Sequence, residues 1–195
     1  MKSIVLASAN PGKKAEIEQL LKPFGTRVVT QVELGITEAE EPHDSFLENA
    51  LAKARHVSFA TRLPALADDS GLCVDALGGA PGVHSARYAG EPKSDARNNQ
   101  KLLAEMTPHD NRRAHYVCVL VLMRGPGDLQ PLIAQAEWHG EIARAPRGSG
   151  GFGYDPCFHL RELDRTAAEL APEEKNRISH RGQALQKLLT LLQKS

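Results

Sequence analysis

A chain of 195 residues is long enough for one medium-sized globular domain with a substantial hydrophobic core. Its 24 basic residues balance its 24 acidic residues, so no global charge recruits nucleic acid or a membrane surface, and a bound polyanion needs a local pocket. Three widely spaced cysteines without a CxxC motif argue against a disulfide framework or a zinc site. The apolar segment at the start of the sequence is too short for a signal peptide or a membrane span. We therefore expect a cytoplasmic protein.

Alternating strand and helix patterns predict an α/β fold, in which helices cover a parallel or mixed sheet. In the first half we expect strands over residues 2–7, 26–30 and 64–67, and helices over 13–21 and 45–62. In the second half we expect a helix over 95–106, strands over 114–123 and 133–142, and a helix over 182–192. No composition shift marks a linker, so residues 1–195 are interpreted as one domain, either compact throughout or divided into two lobes.

The turn between the first strand and the first helix has residues suited to phosphate binding. It consists of Ser8, Ala9, Asn10, Pro11, Gly12 and Lys13. Backbone N–H groups at a helix start, together with a hydroxyl and an ammonium group, can cradle a phosphate. The spacing is not that of a Walker A motif. A simple turn with an asparagine cap and a solvated lysine is the alternative interpretation.

Lys53 lies within an apolar stripe of the second predicted helix, beside Ala50 and Val57. A lysine on an apolar face is costly unless its ammonium group reaches an anion or water. Lys53 therefore either contacts an anion or extends to solvent from the edge of the face.

Two acidic pairs are candidates for metal binding or acid–base chemistry. Glu40 and Glu41 precede the second helix, and Asp68 and Asp69 follow the third predicted strand. Carboxylates suit a hard ion such as Mg²⁺, and ligands gather at the carboxyl ends of strands in α/β sheets. Neighbouring residues on an extended chain point to opposite sides, so Asp68 and Asp69 are expected to have different tasks. A polar turn is the alternative interpretation of this second pair.

The segment 148–153 matches GxGxxG, but it does not predict a dinucleotide site. That motif must open a helix, whereas this glycine-rich segment runs into Tyr154, Asp155 and Pro156, where a helix is disfavoured. We interpret it as a flexible loop that presents Phe152 for stacking on a base. The alternative is that Phe152 or Tyr154 fills a gap in the core.

Basic residues cluster before the final helix, at Lys175, His180 and Arg181. Cations are unfavourable beside a helix N-terminus, which favours a role in binding phosphate or a purine edge. A solvated, basic helix start is the alternative.

The order and wording of these segments resemble the inosine triphosphate pyrophosphatase family, the non-canonical purine NTP pyrophosphatases or XTP/dITP diphosphatases, in its bacterial branch. The similarity runs from residue 3 to residue 192. The segments that carry it are SxNxxK, EE…SFxENAxxKA, LPAxADDSGLxVDALGGAPGVxSARYAG, GxGGFGYDPxF, TAAEL and EEKxxISHRGQAL.

The resemblance implies an elongated α/β fold: a long, mixed, twisted sheet flanked by helices, with two lobes and an active-site cleft between them. It also implies a homodimer that depends on Mg²⁺. The expected reaction is hydrolysis of ITP, dITP or XTP to the nucleoside monophosphate and pyrophosphate, which cleanses the nucleotide pool.

The resemblance also implies roles for individual residues. Asp69 would accept the proton of the attacking water, and the metal would lie on Glu40 or Glu41 with Asp69 or Asp68. The triphosphate would be held by Ser8, Asn10 and Lys13. Independently of the resemblance, the charge of a triphosphate makes Lys13, Lys53 and Lys175 the cations expected to face the phosphates. The nucleoside would be held by Ser70, Phe152, Gly153, Tyr154, Asp155, Lys175, His180 and Arg181, with Phe152 against the purine ring.

Two other functions stay open: a pyrophosphatase for other modified nucleotides, and a catalytically silent nucleotide-binding module. Binding to nucleic acid is disfavoured because the basic residues are dispersed along the chain and do not form a stripe.

Overall fold

The computed structural model describes residues 3–194, and Lys2, the first residue of the predicted strand over 2–7, lies outside them. The strands are β1 (Ser3–Ala7), β2 (Arg27–Thr30), β3 (Ala65–Val74), β4 (Arg113–Met123), β5 (Leu132–Ile142), β6 (Phe158–Leu160) and β7 (Arg165–Thr166). The helices are α1 (Pro11–Leu21), α2 (Phe46–Thr61), α3 (Asp95–Glu105), α4 (Pro172–Ile178) and α5 (His180–Lys194).

The seven strands form one mixed sheet in the order β2-β1-β3-β4-β5-β6-β7. Strand β1 runs parallel to both of its neighbours, with Val5 opposite Val29 of β2 and Ala65 of β3. At the other end of the sheet, β6 is antiparallel to β5 and to β7. The predicted mixed α/β fold is therefore confirmed.

The chain divides into two compact units, each with its own hydrophobic core. The first unit contains residues 3–69, 118–136 and 181–194, and the second contains 70–117 and 137–180. The first core includes Leu6, Ile17, Leu66, Leu120 and Leu185. The second core includes Leu72, Leu102, Tyr116, Trp138 and Phe158. Each core combines buried strand residues with the apolar face of at least one helix, which is how a layered α/β arrangement removes apolar surface from water.

Local signals in the sequence fix the ends of the helices. Asn10 caps α1 by accepting a hydrogen bond from the Lys13 backbone N–H, and Pro11 occupies the first helical position. Ser45 caps α2 in the same way, and Arg62 ends that helix in the left-handed conformation, with φ of 59°. Within residues 3–194, no helix is long and apolar enough to cross a membrane.

The expected end of the third strand is wrong. It was predicted to stop at Ala67, but β3 continues through Asp68 and Asp69 as far as Val74. Polar residues normally end a buried strand because their charges need water or a partner. Here both aspartates have cationic partners, so the strand continues through them.

Candidate active site

The turn before α1 is a capped turn, as the simpler interpretation had it, but its lysine is not solvated. The Ser8 hydroxyl accepts a hydrogen bond from the Asn10 backbone N–H at 3.1 Å, and Ala9, Asn10 and Pro11 are exposed. The partly buried Lys13 ammonium group lies 2.6 Å from the Asp68 carboxylate and 3.2 Å from the Asp68 carbonyl oxygen. A helix start and a cation therefore lie at one end of β1, beside the strand that carries the aspartates.

Lys53 contacts anions, which decides between its two interpretations. Its residue is 9% exposed, and its ammonium group lies 2.6 Å from Asp69 Oδ1 and 2.8 Å from Glu41 Oε1. It also donates to the Asp68 carbonyl oxygen at 3.0 Å. Burial disfavours the charged lysine, but the two carboxylates outweigh this cost and raise the Lys53 pKa.

Two ammonium groups therefore converge on one backbone oxygen. Lys13, from the first turn of α1, and Lys53, from the middle of α2, both donate to the carbonyl of Asp68. The carboxylate of Asp69 lies beside this cation pair, in contact with Lys53. A pair of cations next to a carboxylate can attract a polyanion and supply a base at the same place.

Asp68 is fully buried and enclosed by cations. Its carboxylate accepts from Arg181 Nε at 2.7 Å and from Lys13 Nζ at 2.6 Å, and the Cys118 thiol donates to it at 3.4 Å. Glu16 forms a further ion pair with Arg181, which is only 1% exposed. Burial disfavours the charged carboxylate, but Arg181 and Lys13 outweigh this effect and hold the Asp68 pKa well below its usual range.

Asp69 has a different environment from its neighbour, as the alternation of side chains along a strand predicts. Its residue is 7% exposed, and burial raises the Asp69 pKa, an effect that Lys53 opposes. Lys53 divides its charge between Asp69 and Glu41, so its compensation of each carboxylate is partial. Asp68 therefore remains a fixed anion, while Asp69 is a better proton acceptor.

The four predicted metal-ligating carboxylates are in different surroundings. Glu41 is half-buried and pairs with Lys53, as Asp69 does. Glu40 is exposed. The Asp68 carboxylate forms ion pairs with Arg181 and Lys13. Among residues 3–194, no group of three His, Cys, Asp or Glu side chains is arranged to hold a metal ion. Two oxygen ligands nevertheless suit Mg²⁺, which typically takes one or two carboxylates together with phosphate oxygens and water.

The glycine-rich loop belongs to the second unit, and no α-helix begins there, which agrees with the rejection of a dinucleotide site. A single 3₁₀ turn, Asp155–Cys157, follows it. The Asp155 carboxylate is buried, accepts from the Phe152 backbone N–H at 2.8 Å and lies 2.5 Å from the buried Lys175 ammonium group. That ammonium group lies 4.9 Å from the centroid of the half-buried Phe152 ring.

The other predicted residues of the second unit are Tyr154, His180 and Ser70. Tyr154 fills the core, as its alternative interpretation had it: it is 3% exposed and its hydroxyl donates to the Ser85 carbonyl at 2.7 Å. His180 is buried, and its ring stacks on Tyr116 with 4.5 Å between centroids. Ser70 is half-buried in β3. Contact of these residues with a nucleoside stays a prediction.

Sequence analysis missed the partner of Arg181 on α1. Glu16 lies three residues after Lys13, so both side chains project from one face of α1. This spacing places Glu16 beside Lys13, but nothing in the sequence connects Glu16 with Arg181. Cys118 had no comparable signal, since only the pairing of distant segments brings it to Asp68.

Comparison with known proteins gives a consistent family. The sequence model of the Ham1 family matches residues 4–191. The dITP/XTP pyrophosphatase of Nitrosomonas europaea is 63% identical, covering 98% of this chain and 95% of its own. That of Ralstonia nicotianae is 62% identical, covering 98% and 97%. A solved HAM1 protein from Coxiella burnetii is 50% identical, with a TM-score of 0.90 over the whole of both chains.

The mixed seven-stranded sheet and the buried cation–carboxylate cluster on β3 define an α/β protein with a charged candidate site. Within that class, the chain belongs to the Ham1 family. The family resemblance predicted from the sequence motifs is thereby confirmed.

The two adjacent aspartates should differ in their contributions to stability. Asp68→Asn is expected to lower the free energy of unfolding by about 3 kcal/mol, because it takes a charge from the buried Arg181. Asp69→Asn should cost only about 1 kcal/mol, the usual net value of one hydrogen bond, because Lys53 retains Glu41. Urea denaturation of both variants and of the unsubstituted protein measures the difference, and equal losses would contradict this division of roles.

Proposed function

We propose that the protein hydrolyses the non-canonical purine nucleotides ITP, dITP and XTP to the nucleoside monophosphate and pyrophosphate. The observation that carries this proposal is the convergence of Lys13 and Lys53 on the Asp68 carbonyl oxygen, beside the carboxylate of Asp69. The similarity to relatives named dITP/XTP pyrophosphatase supports the choice of substrate.

The cations of the first unit would bind the triphosphate. A triphosphate carries several negative charges that repel an incoming water oxygen, so catalysis depends mainly on positioning and on offsetting charge. Lys13 and Lys53 supply two ammonium groups, and exchanging a protein carboxylate for a phosphate oxygen requires only small movements of flexible side chains. Ser8 and the start of α1, capped by Asn10, would add hydrogen-bond donors to the phosphates.

Asp69 would act as the general base. Its task is to orient a water molecule and to accept one of its protons as the oxygen attacks phosphorus and the bond to pyrophosphate breaks. Burial raises the Asp69 pKa, which makes the ionised carboxylate a stronger base than an exposed aspartate. Asp68 is held by Arg181 and would stay ionised throughout.

The donor set fits an Mg²⁺ ion, which Glu41 and Asp69 would hold. These two carboxylates approach a single ammonium group, that of Lys53, so they are near enough to share a cation. When bound, Mg²⁺ would offset the charge of the phosphate oxygens. Glu40 is the less suitable neighbour because it is exposed.

The second unit would supply the contacts to the nucleoside. The half-buried ring of Phe152 offers a face for stacking, and the buried pair of Lys175 and Asp155 lies next to it. Ser70, Gly153 and Tyr154 remain proposed contacts on the family resemblance.

His180 and Arg181 are the proposed donors to the purine edge. Inosine and xanthosine have a carbonyl acceptor at the six position where adenine has an amino donor. A buried donor that faces another donor costs about 1–3 kcal/mol, so an amino purine would be disfavoured. Arg181 is paired with Asp68 and Glu16, so its contact with the base is proposed on the family resemblance.

The homodimer is a proposal that rests on the family resemblance, and the cytoplasmic location is a proposal that rests on the cysteine pattern. A small-molecule substrate is proposed as the ligand, and neither nucleic acid nor a membrane.

A panel of nucleotides tests the proposed function directly. We expect metal-dependent release of pyrophosphate from ITP, dITP and XTP with the monophosphate as co-product, and little release from ATP, GTP and UTP. The panel is measured with Mg²⁺ and with EDTA. Release mainly from a pyrimidine would indicate a pyrophosphatase for other modified nucleotides, and binding without any release would indicate a catalytically silent module.

The role of Asp69 makes a second prediction. Asp69→Asn should lower kcat for ITP by about 10²–10⁴-fold, because the amide cannot accept the proton. The affinity for ITP, measured by isothermal titration calorimetry without Mg²⁺, should stay close to that of the unsubstituted protein, because Lys13 and Lys53 are unchanged. Turnover that remains within about threefold would rule out the general-base assignment.

A further inference from the structure

The peptide groups on either side of Gly153 are held by one helix of the second unit. The Gly153 backbone N–H donates to Asp95 Oδ2 at 2.7 Å, and the Gly153 carbonyl oxygen accepts from Asn99 Nδ2 at 2.7 Å. Asp95 begins α3 and Asn99 follows one turn later, so both side chains project from the same face of the helix. The Asn99 amide also donates to the Asp95 carbonyl at 2.8 Å, which joins the two contacts.

Helix α3 is itself fixed to the body of the second unit. Asn98 is 2% exposed, and its side chain accepts from the Ala89 N–H at 2.8 Å and donates to the Ser85 and Ala86 carbonyls. Leu102, on the same helix, is fully buried in the core. The residues that hold Gly153 therefore stand on a rigid support.

Gly153 directly follows Phe152, so these hydrogen bonds restrict the backbone next to the aromatic ring. On the other side, the Phe152 N–H is held by the buried Asp155 carboxylate. A glycine-rich loop has more backbone freedom to lose than most segments, and each residue that is ordered in advance lowers the entropic cost of binding. Gly153 also has a φ of +62°, a conformation that glycine adopts without strain.

We propose that Asp95 and Asn99 are positioning residues for recognition of the purine base. They hold the Gly153 peptide groups and thereby orient the ring of Phe152 before the nucleotide arrives. This inference rests on the proposed function, because it assigns Phe152 to the base. It adds two residues that lie outside every sequence segment that carries the family resemblance.

The experiment compares steady-state kinetics for ITP in the variants Asn99→Ala, Asp95→Ala and Asp95→Asn. Loss of one or two hydrogen bonds corresponds to about a tenfold loss of affinity, so KM for ITP should rise about tenfold in both alanine variants. Since the phosphate contacts are untouched, kcat should stay within about threefold. Asp95→Asn keeps an oxygen acceptor for the Gly153 N–H and should restore most of the KM.

Two further measurements separate positioning from general damage. Pyrophosphate has no purine base, so its inhibition constant should be the same in every variant. Gln100→Ala, an exposed position on the same helix, is the control and should leave KM unchanged. Asp95→Ala and Asn99→Ala act on opposite sides of the same glycine, so either variant carries the test if the other does not fold.

The outcomes also distinguish this inference from the proposed function. If the unsubstituted protein releases no pyrophosphate from any purine triphosphate, the proposed function fails. If it does release pyrophosphate from ITP and the alanine variants keep its KM, the positioning inference alone is wrong. A parallel change in the pyrophosphate inhibition constant, or an equal effect of Gln100→Ala, would also overturn the inference.

Discussion

The burial of one carboxylate, that of Asp68, determines how charge is arranged in the first unit. A carboxylate without exposed surface is stable only where cations and donors replace the water it has lost. Arg181 and Lys13 provide this compensation, although they come from opposite ends of the sequence. The requirement brings the ammonium group of Lys13 to the Asp68 carbonyl, where that of Lys53 also ends. The cation pair proposed to bind phosphate is thus a consequence of stabilising a buried anion.

Asp68 and Asp69 are neighbours on β3, but Asp68 has a structural role and Asp69 is the proposed general base. Successive side chains on a strand point to opposite sides, so adjacent aspartates can have unrelated surroundings. Asp68 has two close cations, which keep it ionised and make it a weak base. Asp69 is paired with Lys53, which also binds Glu41, and burial raises the Asp69 pKa although Lys53 and Lys13 oppose this effect. A proton acceptor needs this intermediate degree of stabilisation, because a fully compensated carboxylate gains little from binding a proton.

Much of the fold could be predicted from the sequence, because local signals determine it. The cap at Asn10 and the apolar stripe around Lys53 fixed the positions of α1 and α2 to within two residues. The end of β3 could not be predicted, because its continuation through Asp68 and Asp69 depends on cations that distant segments bring to it. The same limit applied to the candidate site: the residue types were recognisable, but the pairing of Arg181 with Asp68 is a tertiary contact that no spacing reveals.

The residues proposed to bind phosphate and the residue proposed to stack on the purine base also differ in how their backbone is held in place. The groups assigned to phosphate lie on a strand and two helices, so regular secondary structure fixes the backbone of Asp69, Lys13 and Lys53. The group assigned to the base lies on a glycine-rich loop, whose backbone has no such restraint of its own. Glycine allows the close approach seen at Gly151, where an added Cβ would lie 2.0 Å from the Asp155 carboxylate, but it makes the loop costly to order. Side chains from a neighbouring helix supply that restraint, because their hydrogen bonds fix the peptide groups of Gly153, next to Phe152.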